Sequence, residues 1–194
     1  MRVPSCVATA AATSPTPRSP SCATRAHGYP VPEVIDVRGT DMVMERVDGP
    51  TMQTQLRSPW RLLANEHLLA ELHAALHRFT APDGVRVVGP GDTLVHLDLH
   101  PANVILSPRG PVVIDWANAA SGHWADDVAD LVVVGRSATM PRRERVVADL
   151  FLRVFLARFD RTQVREHLPL AIERRTRDPN MTSAERERMA RVRV

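Results

Sequence analysis

The pattern of apolar and polar residues predicts a short hairpin, a helix, a second hairpin and then several helices. At the start of this pattern, the sequence predicts a strand near Glu33–Val37, a turn at Arg38-Gly39 and a strand over Asp41–Val47. The two strands would form a hairpin that leads into a linker.

A longer segment has the spacing of an amphipathic helix. Its apolar residues lie seven, three, four and three positions apart, at Leu62, Leu69, Leu72, Leu76 and Phe79. This spacing predicts a helix that ends before Pro82, since proline cannot continue a helix. No apolar run approaches the roughly 18 residues of a membrane span.

Two short strands are predicted next, at Val104–Ser107 and Pro111–Asp115. The remainder is predicted to be helical. We expect helices over Asp126–Gly135, after Pro141, and after a capping Ser183.

Charge is unevenly distributed along the chain. The 25 basic and 22 acidic residues give a net charge of +3, and every one of the basic residues is arginine. Residues 141–194 carry 14 arginines against 8 acids, a net charge of +6. The arginines are not interleaved with aromatic residues, which argues against nucleic acid as a partner.

The first 26 residues are predicted to be a disordered tail, because they are rich in proline and serine and contain no acidic residue. This tail contains both cysteines, Cys6 and Cys22, so a disulfide framework is not expected to hold the fold. It also lacks the unbroken apolar stretch of a secretory signal. We therefore expect a cytoplasmic protein.

The second hairpin suggests a metal site. A three-residue loop over residues 108–110 would place Asn103 directly opposite Asp115. Directly opposed residues lie about 4.5–5.5 Å apart, so an amide oxygen and a carboxylate would converge. Hard oxygen ligands of this kind suit Mg²⁺.

Asp98 lies five residues before Asn103, on the segment that enters the strand. A carboxylate beside a metal-bound phosphate can accept a proton from a hydroxyl or orient that hydroxyl for in-line attack. Asp98 as base, with Asn103 and Asp115 as metal ligands, would together suit phosphoryl transfer.

These residues resemble the catalytic core of the aminoglycoside phosphotransferase and choline kinase-like families, which are small-molecule relatives of protein kinases. The pattern H-x-D-x-x-x-x-N, then a strand and I-D-W, is matched at His96, Asp98, Asn103, Ile114, Asp115 and Trp116. Three earlier segments, "HGYPVPEV", "MVMERVDG" and "LLAELHAALHRF", resemble the approach to the hinge between lobes, the hinge, and the first helix of the C-terminal lobe.

The resemblance implies an α+β, protein-kinase-like fold. Residues 48–194 would form a mostly helical C-terminal lobe with a catalytic β-hairpin, and residues 27–47 a remnant of the N-terminal lobe with the hinge. The family's cofactors are ATP (or GTP) and Mg²⁺. The implied reaction transfers a γ-phosphoryl group to the hydroxyl of a small molecule, without nucleic acid or membrane as a partner. The resemblance says nothing about the oligomeric state.

The resemblance also implies roles for individual residues. Glu45, Arg46 and Val47 would offer backbone groups to the adenine of the nucleotide.

Other residues would support the catalytic loop. His96 would brace it, and Asp127 or Asp130 would hold it from behind. His100 would either contact substrate or cap the loop, and Trp116 would pack against the loop.

One feature of the family is missing. Such enzymes clamp the nucleotide phosphates with a lysine, and this chain has none. Arg25 is no simple substitute, because a guanidinium is wider and forked. We expect the chain to lack most of the N-terminal lobe, through a real truncation, a wrong start site or a frameshift, so that it could be an inactive fragment.

Two alternatives stay open. The first is a metal-dependent hydrolase, since His96, Asp98 and His100 would share one face of an extended segment. His73 and His77, four residues apart on the predicted helix, could add to this set of ligands. Local hydrogen bonds are the simpler interpretation of His73 and His77. The second alternative is a pseudoenzyme, a kinase-like binding module without catalysis, which the missing lysine favours.

Overall fold

The computed structural model describes residues 28–38, 41–56, 59–177, 182–189 and 191–192. The predicted tail 1–26, with both cysteines and Arg25, lies outside these residues, as does Gly39 of the first predicted turn. The described ranges form an α+β fold with five helices and six short strands. None of the helices described there combines the length and apolar character that a membrane crossing requires.

The strands form three separate antiparallel pairs. The pairs are β1 (Val34–Arg38) with β2 (Asp41–Met44), β3 (Thr93–Val95) with β6 (Ala120–Gly122), and β4 (Val104–Ser107) with β5 (Gly110–Val113). The predicted hairpins correspond to β1–β2 and β4–β5. The three-residue strands β3 and β6 were not predicted, because they are too short to show an alternating pattern.

The helices contribute most of the core. They are α1 (Pro59–Leu76), α2 (Trp124–Ser137), α3 (Arg142–Leu156), α4 (Arg161–Thr176) and α5 (Ser183–Met189), with short 3-10 helices at Met52–Gln55, Pro101–Asn103 and Trp116–Asn118. The helices predicted around Leu62–Phe79, at Asp126–Gly135 and after Pro141 correspond to α1, α2 and α3. Ser183 is the first residue of α5.

Helix α2 lies at the centre of the molecule, with α3, α4, α5 and β3 packed around it. Every residue from Ala125 to Val133 is buried, so this helix has no solvent-facing side over these two turns. The apolar side chains that pack with it include Leu69 and Leu76 of α1 and Phe155 of α3.

Pairing of β3 with β6 places the segment after β3 beside the start of α2. Val95 of β3 pairs with Ala120 of β6. His123 follows β6 and caps α2: its Nδ1 accepts the N–H of Ala125 at 3.2 Å, while Asp126 Oδ2 accepts the N–H of His123 at 3.0 Å. The first turn of α2 is therefore fixed next to residues 96–103.

An ion pair between a buried carboxylate and a partly exposed arginine joins α1 to the segment after α3. The carboxylate of Glu66 in α1 is buried and accepts two hydrogen bonds from Arg158, at 2.7 and 3.3 Å. The forked guanidinium satisfies both carboxylate oxygens, which a buried charge requires.

His73 in α1 is a buried histidine that is held neutral. Its Nδ1 lies 3.0 Å from the carbonyl oxygen of Leu69, and its ring packs edge-on against Phe155. Burial lowers the pKa of His73 from 6.5 to about 4. The expectation of a local hydrogen bond holds for this residue.

Acid should destabilise the fold through His73. A histidine of the unfolded chain takes up a proton near pH 6.5, whereas folded His73 does so near pH 4. Above pH 6.5 the His73 ring is neutral in both the folded and the unfolded chain, so the free energy of unfolding has its full value. This free energy falls by about 3 kcal/mol in total as the pH is lowered from 6.5 to 4. Denaturant unfolding of His73→Leu across this range should show a smaller loss of stability than wild type.

His67 provides the control for this experiment, because it lies on the same helix but is exposed and pairs with Glu71 at 3.2 Å. His67→Leu should keep the wild-type dependence on pH. If His73→Leu loses as much stability between pH 6.5 and pH 4 as wild type does, His73 is not the group responsible for the loss.

Candidate active site

A buried carboxylate of α2 holds the loop over residues 96–103. Asp127 Oδ1 accepts the N–H of Leu97 at 2.6 Å, and Oδ2 accepts the N–H of His96 at 3.1 Å. Leu97 has a φ of 59°, in the left-handed region, which costs a residue other than glycine about 1–3 kcal/mol. The hydrogen bonds to Asp127 offset this cost and set the shape of the loop.

His77 supplies a third donor to the same carboxylate, since its Nε2 lies 3.0 Å from Asp127 Oδ2. Burial alone would raise the pKa of Asp127, but this hydrogen bond and the electrostatic effect of His73, His77 and His96 together outweigh burial, and the pKa lies well below its ordinary value. Asp127 is therefore ionised. The expectation of a purely local bond is wrong for His77, because His77 follows the last residue of α1 and its ring reaches α2.

His96 joins the loop to the segment after β5. Its side chain is fully buried, and its Nε2 lies 3.1 Å from the carbonyl oxygen of Ile114. Burial lowers the pKa of His96, so the ring is neutral and Nε2 donates. The ring packs on Trp116, with centroids 4.7 Å apart, and Trp116 Nε1 donates to the carbonyl of Val113 at 3.1 Å.

Asp98 and Asn103 meet inside the loop. Asn103 Nδ2 donates to Asp98 Oδ2 at 3.1 Å and to the Asp98 carbonyl oxygen at 2.9 Å. Both N–H groups of the amide are used in this way, so the amide carbonyl oxygen keeps its lone pairs for another partner. Two of the three residues predicted for phosphoryl transfer are thus in direct contact.

His100 caps the short helix Pro101–Asn103. Its Nδ1 accepts the N–H of Ala102 at 3.2 Å, so the ring proton is on Nε2, which lies 3.4 Å from Asp98 Oδ1. Burial alone would raise the pKa of Asp98. Hydrogen bonds from His100 and the guanidinium of Arg175 outweigh burial and hold the pKa at about 2. Asp98 is therefore an ionised carboxylate.

Arg175 of α4 contacts the loop from the other side. Its Nη2 donates to Asp98 Oδ1, and also to the carbonyl oxygen of Leu97 at 3.1 Å. Its Nε lies 3.4 Å from Asp130 Oδ1 of α2. One guanidinium therefore bridges the loop and the central helix.

The neighbouring Arg174 pairs with two carboxylates of α2. It donates to Asp130 Oδ2 at 2.5 and 3.1 Å and to Asp126 Oδ1 at 3.1 Å. Asp127 and Asp130, the two predicted supports of the loop, thus differ: Asp127 binds loop backbone directly, whereas Asp130 binds the arginines of α4.

The hairpin register differs by one residue from the prediction. Ser107 pairs with Gly110, so the turn has two residues rather than three. The Ser107 hydroxyl accepts the N–H of Arg109 at 3.2 Å and donates to the Gly110 carbonyl at 2.8 Å, which closes the shorter turn. Asn103 therefore lies opposite Ile114, whose N–H bonds the Asn103 carbonyl at 3.0 Å.

The predicted direct opposition of Asn103 and Asp115 is accordingly wrong. Asp115 lies one residue further along, and its left-handed backbone, with φ 62° and ψ 64°, sets the direction of its side chain instead of strand pairing. The residue is exposed, and no donor among the described residues forms a hydrogen bond with its carboxylate.

The predicted nucleotide-binding residues follow β2 directly. The N–H of Glu45 donates to the carbonyl of Glu33 at 2.7 Å, and the Glu45 carboxylate pairs with Arg109 of the β4–β5 turn. Arg46 is exposed and pairs with Asp48 at 3.2 Å. The role of Glu45, Arg46 and Val47 toward a nucleotide stays a prediction.

The residues proposed for a metal hydrolase do not share one face. The left-handed backbone of Leu97 breaks the extended alternation that would align His96, Asp98 and His100. His96 is turned to a backbone carbonyl, and within the described part of the chain no three His, Cys, Asp or Glu side chains are placed to hold a metal ion.

Sequence reasoning did not identify Arg174 or Arg175 as part of the site. The pair of adjacent arginines near the end of a helix is visible in the sequence, but 77 residues separate Arg175 from Asp98. No local spacing indicates such a contact. The packing of α4 on α2 creates it.

The comparisons with known proteins agree with the loop motif. No curated protein matches this sequence. The model of the phosphotransferase enzyme family (APH) matches residues 45–167, which are more than half of the chain and include the loop, the β4–β5 hairpin, all of α2 and α3, and the first turns of α4. The chain therefore belongs to the APH phosphotransferase enzyme family.

Proposed function

We propose that this protein is a kinase-like phosphotransferase that transfers the γ-phosphoryl group of ATP to a hydroxyl of a small molecule. The observation that carries the proposal is the 3.1 Å contact between Asp98 and Asn103, in a loop whose backbone is bound by Asp127. Residues 27–47 and 48–194 would belong to the upper and lower lobes of such an enzyme.

In the proposed reaction, the acceptor hydroxyl oxygen forms a bond to the γ-phosphorus. The bond between that phosphorus and the bridging oxygen of the β-phosphate breaks, and ADP leaves with the electron pair. The hydroxyl proton passes to Asp98. Because this carboxylate is ionised and fixed in place, it can orient the hydroxyl before the bond forms.

The donor set near Asp98 is suitable for Mg²⁺. The Asn103 amide directs its nitrogen at Asp98, which leaves its oxygen for a cation, and Asp115 offers an exposed carboxylate. Mg²⁺ typically takes one or two protein oxygens together with substrate phosphates and water. When bound, the ion would neutralise charge on the phosphates.

We further propose a neutral or anionic acceptor. A guanidinium, that of Arg175, lies against the catalytic carboxylate, and residues 141–194 carry a net charge of +6. Both features are unfavourable for a polycationic acceptor.

A pseudoenzyme is the second candidate, and one observation favours it. The chain contains no lysine, the residue that clamps nucleotide phosphates in kinases. A binding module would still bind Mg²⁺ and ATP but would release no ADP.

The experiment that tests the function measures two properties of the purified chain. Thermal shift with ATP and Mg²⁺ reports binding, while ADP release and ³¹P NMR report transfer to a panel of neutral, anionic and aminoglycoside alcohols. Phosphate-ester formation supports the enzyme, and binding without turnover supports the pseudoenzyme. If neither binding nor turnover is observed, both the enzyme and the pseudoenzyme are contradicted. Saturable phosphorylation of kanamycin-type compounds would overturn the acceptor class alone.

Asp98→Asn should lower turnover at least ~100-fold, because the amide cannot accept the proton. Binding of ATP and Mg²⁺, measured by calorimetry, should be unchanged. Asp92→Asn, an exposed residue before β3, is the matched control and should turn over like wild type. Retained turnover in Asp98→Asn would remove Asp98 as the base.

Asp115→Ala should weaken binding of ATP in the presence of Mg²⁺ by about tenfold or more, because a metal ligand is lost. Titration without Mg²⁺ should give the same affinity for variant and wild type. Asp83→Ala, at an exposed turn, serves as the control. Equal Mg²⁺-dependent affinity in Asp115→Ala and wild type would refute the metal assignment.

A further inference from the structure

Arg175 contacts Asp98 and the loop over residues 96–103 although it lies outside the segment that matches the family. The family match ends at residue 167, and Arg175 lies eight positions later, in the last turns of α4. Its side chain is 15% exposed and that of Asp98 is 14% exposed, so this ion pair is largely shielded from water. Shielded charge pairs hold their geometry far better than surface pairs do.

The guanidinium is fixed from two directions. One nitrogen, Nη2, bonds the carboxylate of Asp98 and the carbonyl of Leu97, while Nε lies 3.4 Å from buried Asp130. Moving Arg175 away would leave two carboxylates without this partner, which is costly for buried charges. Arg174 holds the same part of α4 against α2 by its own bonds to Asp126 and Asp130.

The bonds around Asp98 distinguish its two carboxylate oxygens. Each oxygen has about two lone-pair sites. Oδ1 accepts from Arg175, and His100 Nε2 also lies on its side, 3.4 Å away. Among the described residues, Oδ2 accepts a hydrogen bond from Asn103 alone, at 3.1 Å, and therefore keeps one site. A substrate hydroxyl that donates to Asp98 would donate to Oδ2.

We propose that Arg175 is a positioning residue for phosphoryl transfer: by holding Oδ1, it presents Oδ2 of Asp98 to the acceptor hydroxyl. This proposal rests on the proposed phosphotransferase function and adds a component from α4 to it. The competing explanation is that Arg175 only fastens α4 to α2. The two explanations differ in what replaces the lost group: a free guanidinium ion can restore an oriented carboxylate, but it cannot restore a tether between two helices.

The test compares Arg175→Ala and Arg175→Lys with Arg158→Ala. Arg158 is a matched control, because it also pairs with a buried carboxylate, Glu66, but does not contact the loop. Arg175→Ala should lower kcat about 10- to 100-fold, as expected for a displaced catalytic group, with an unchanged Kd for ATP and Mg²⁺. Millimolar guanidinium should restore part of kcat, and Arg175→Lys should retain part of it.

Arg158→Ala should lower the melting temperature without lowering kcat, and guanidinium should have no effect on it. An Arg175→Ala enzyme with wild-type kcat would overturn the proposal. So would a lowered kcat that neither guanidinium nor the lysine variant restores, because that result indicates a structural tether.

A crystal structure of Arg175→Ala makes the test independent of turnover. The Asp98 carboxylate should rotate away from Asn103 Nδ2, and guanidinium soaked into the crystal should return it. An unmoved carboxylate overturns the positioning role, even if wild type proves to have no turnover and the proposed function itself fails.

Discussion

Three carboxylates buried on one central helix determine the arrangement of this molecule. Asp126, Asp127 and Asp130 lie within the first two turns of α2 and are almost completely buried. A buried carboxylate is costly unless donors surround it. Asp127 obtains its donors from the loop and His77, whereas Asp126 and Asp130 share Arg174 of α4. Asp126 also uses the helix cap, and Asp130 also uses Arg175.

The shape of the candidate active site follows from this requirement. Because Asp127 takes the N–H groups of His96 and Leu97, the backbone turns at Leu97, and Asp98 then faces Asn103. Because Asp130 takes the arginines of α4, a guanidinium is brought to Asp98 from the opposite side. Residues far apart in sequence therefore meet at one carboxylate, and stability of the core and geometry of the site depend on the same hydrogen bonds.

Features with a local signal could be predicted from the sequence. The apolar spacing identified α1, and the bounds of β4 are those predicted, because both depend on nearby residues. The register of β4–β5 could not be predicted, since the hydroxyl of Ser107 selects a turn of two residues instead of three. The left-handed backbone of Leu97 has no local signal either. It exists because of a carboxylate 30 residues away. The loop motif indicated Asp98 and Asn103, but the contact of Arg175 requires the packing of α4 on α2.

Amide hydrogen exchange at His96 and Leu97 tests the central claim most directly. In Asp127→Asn, an NH₂ group replaces one of the two carboxylate oxygens. That group cannot accept a hydrogen bond, so the backbone N–H of His96 or of Leu97 loses its partner. The account predicts exchange about 10- to 100-fold faster at His96 or Leu97, with the amides of α1 as protected as in wild type. Unchanged protection of both loop amides would contradict the claim that Asp127 shapes the loop over residues 96–103.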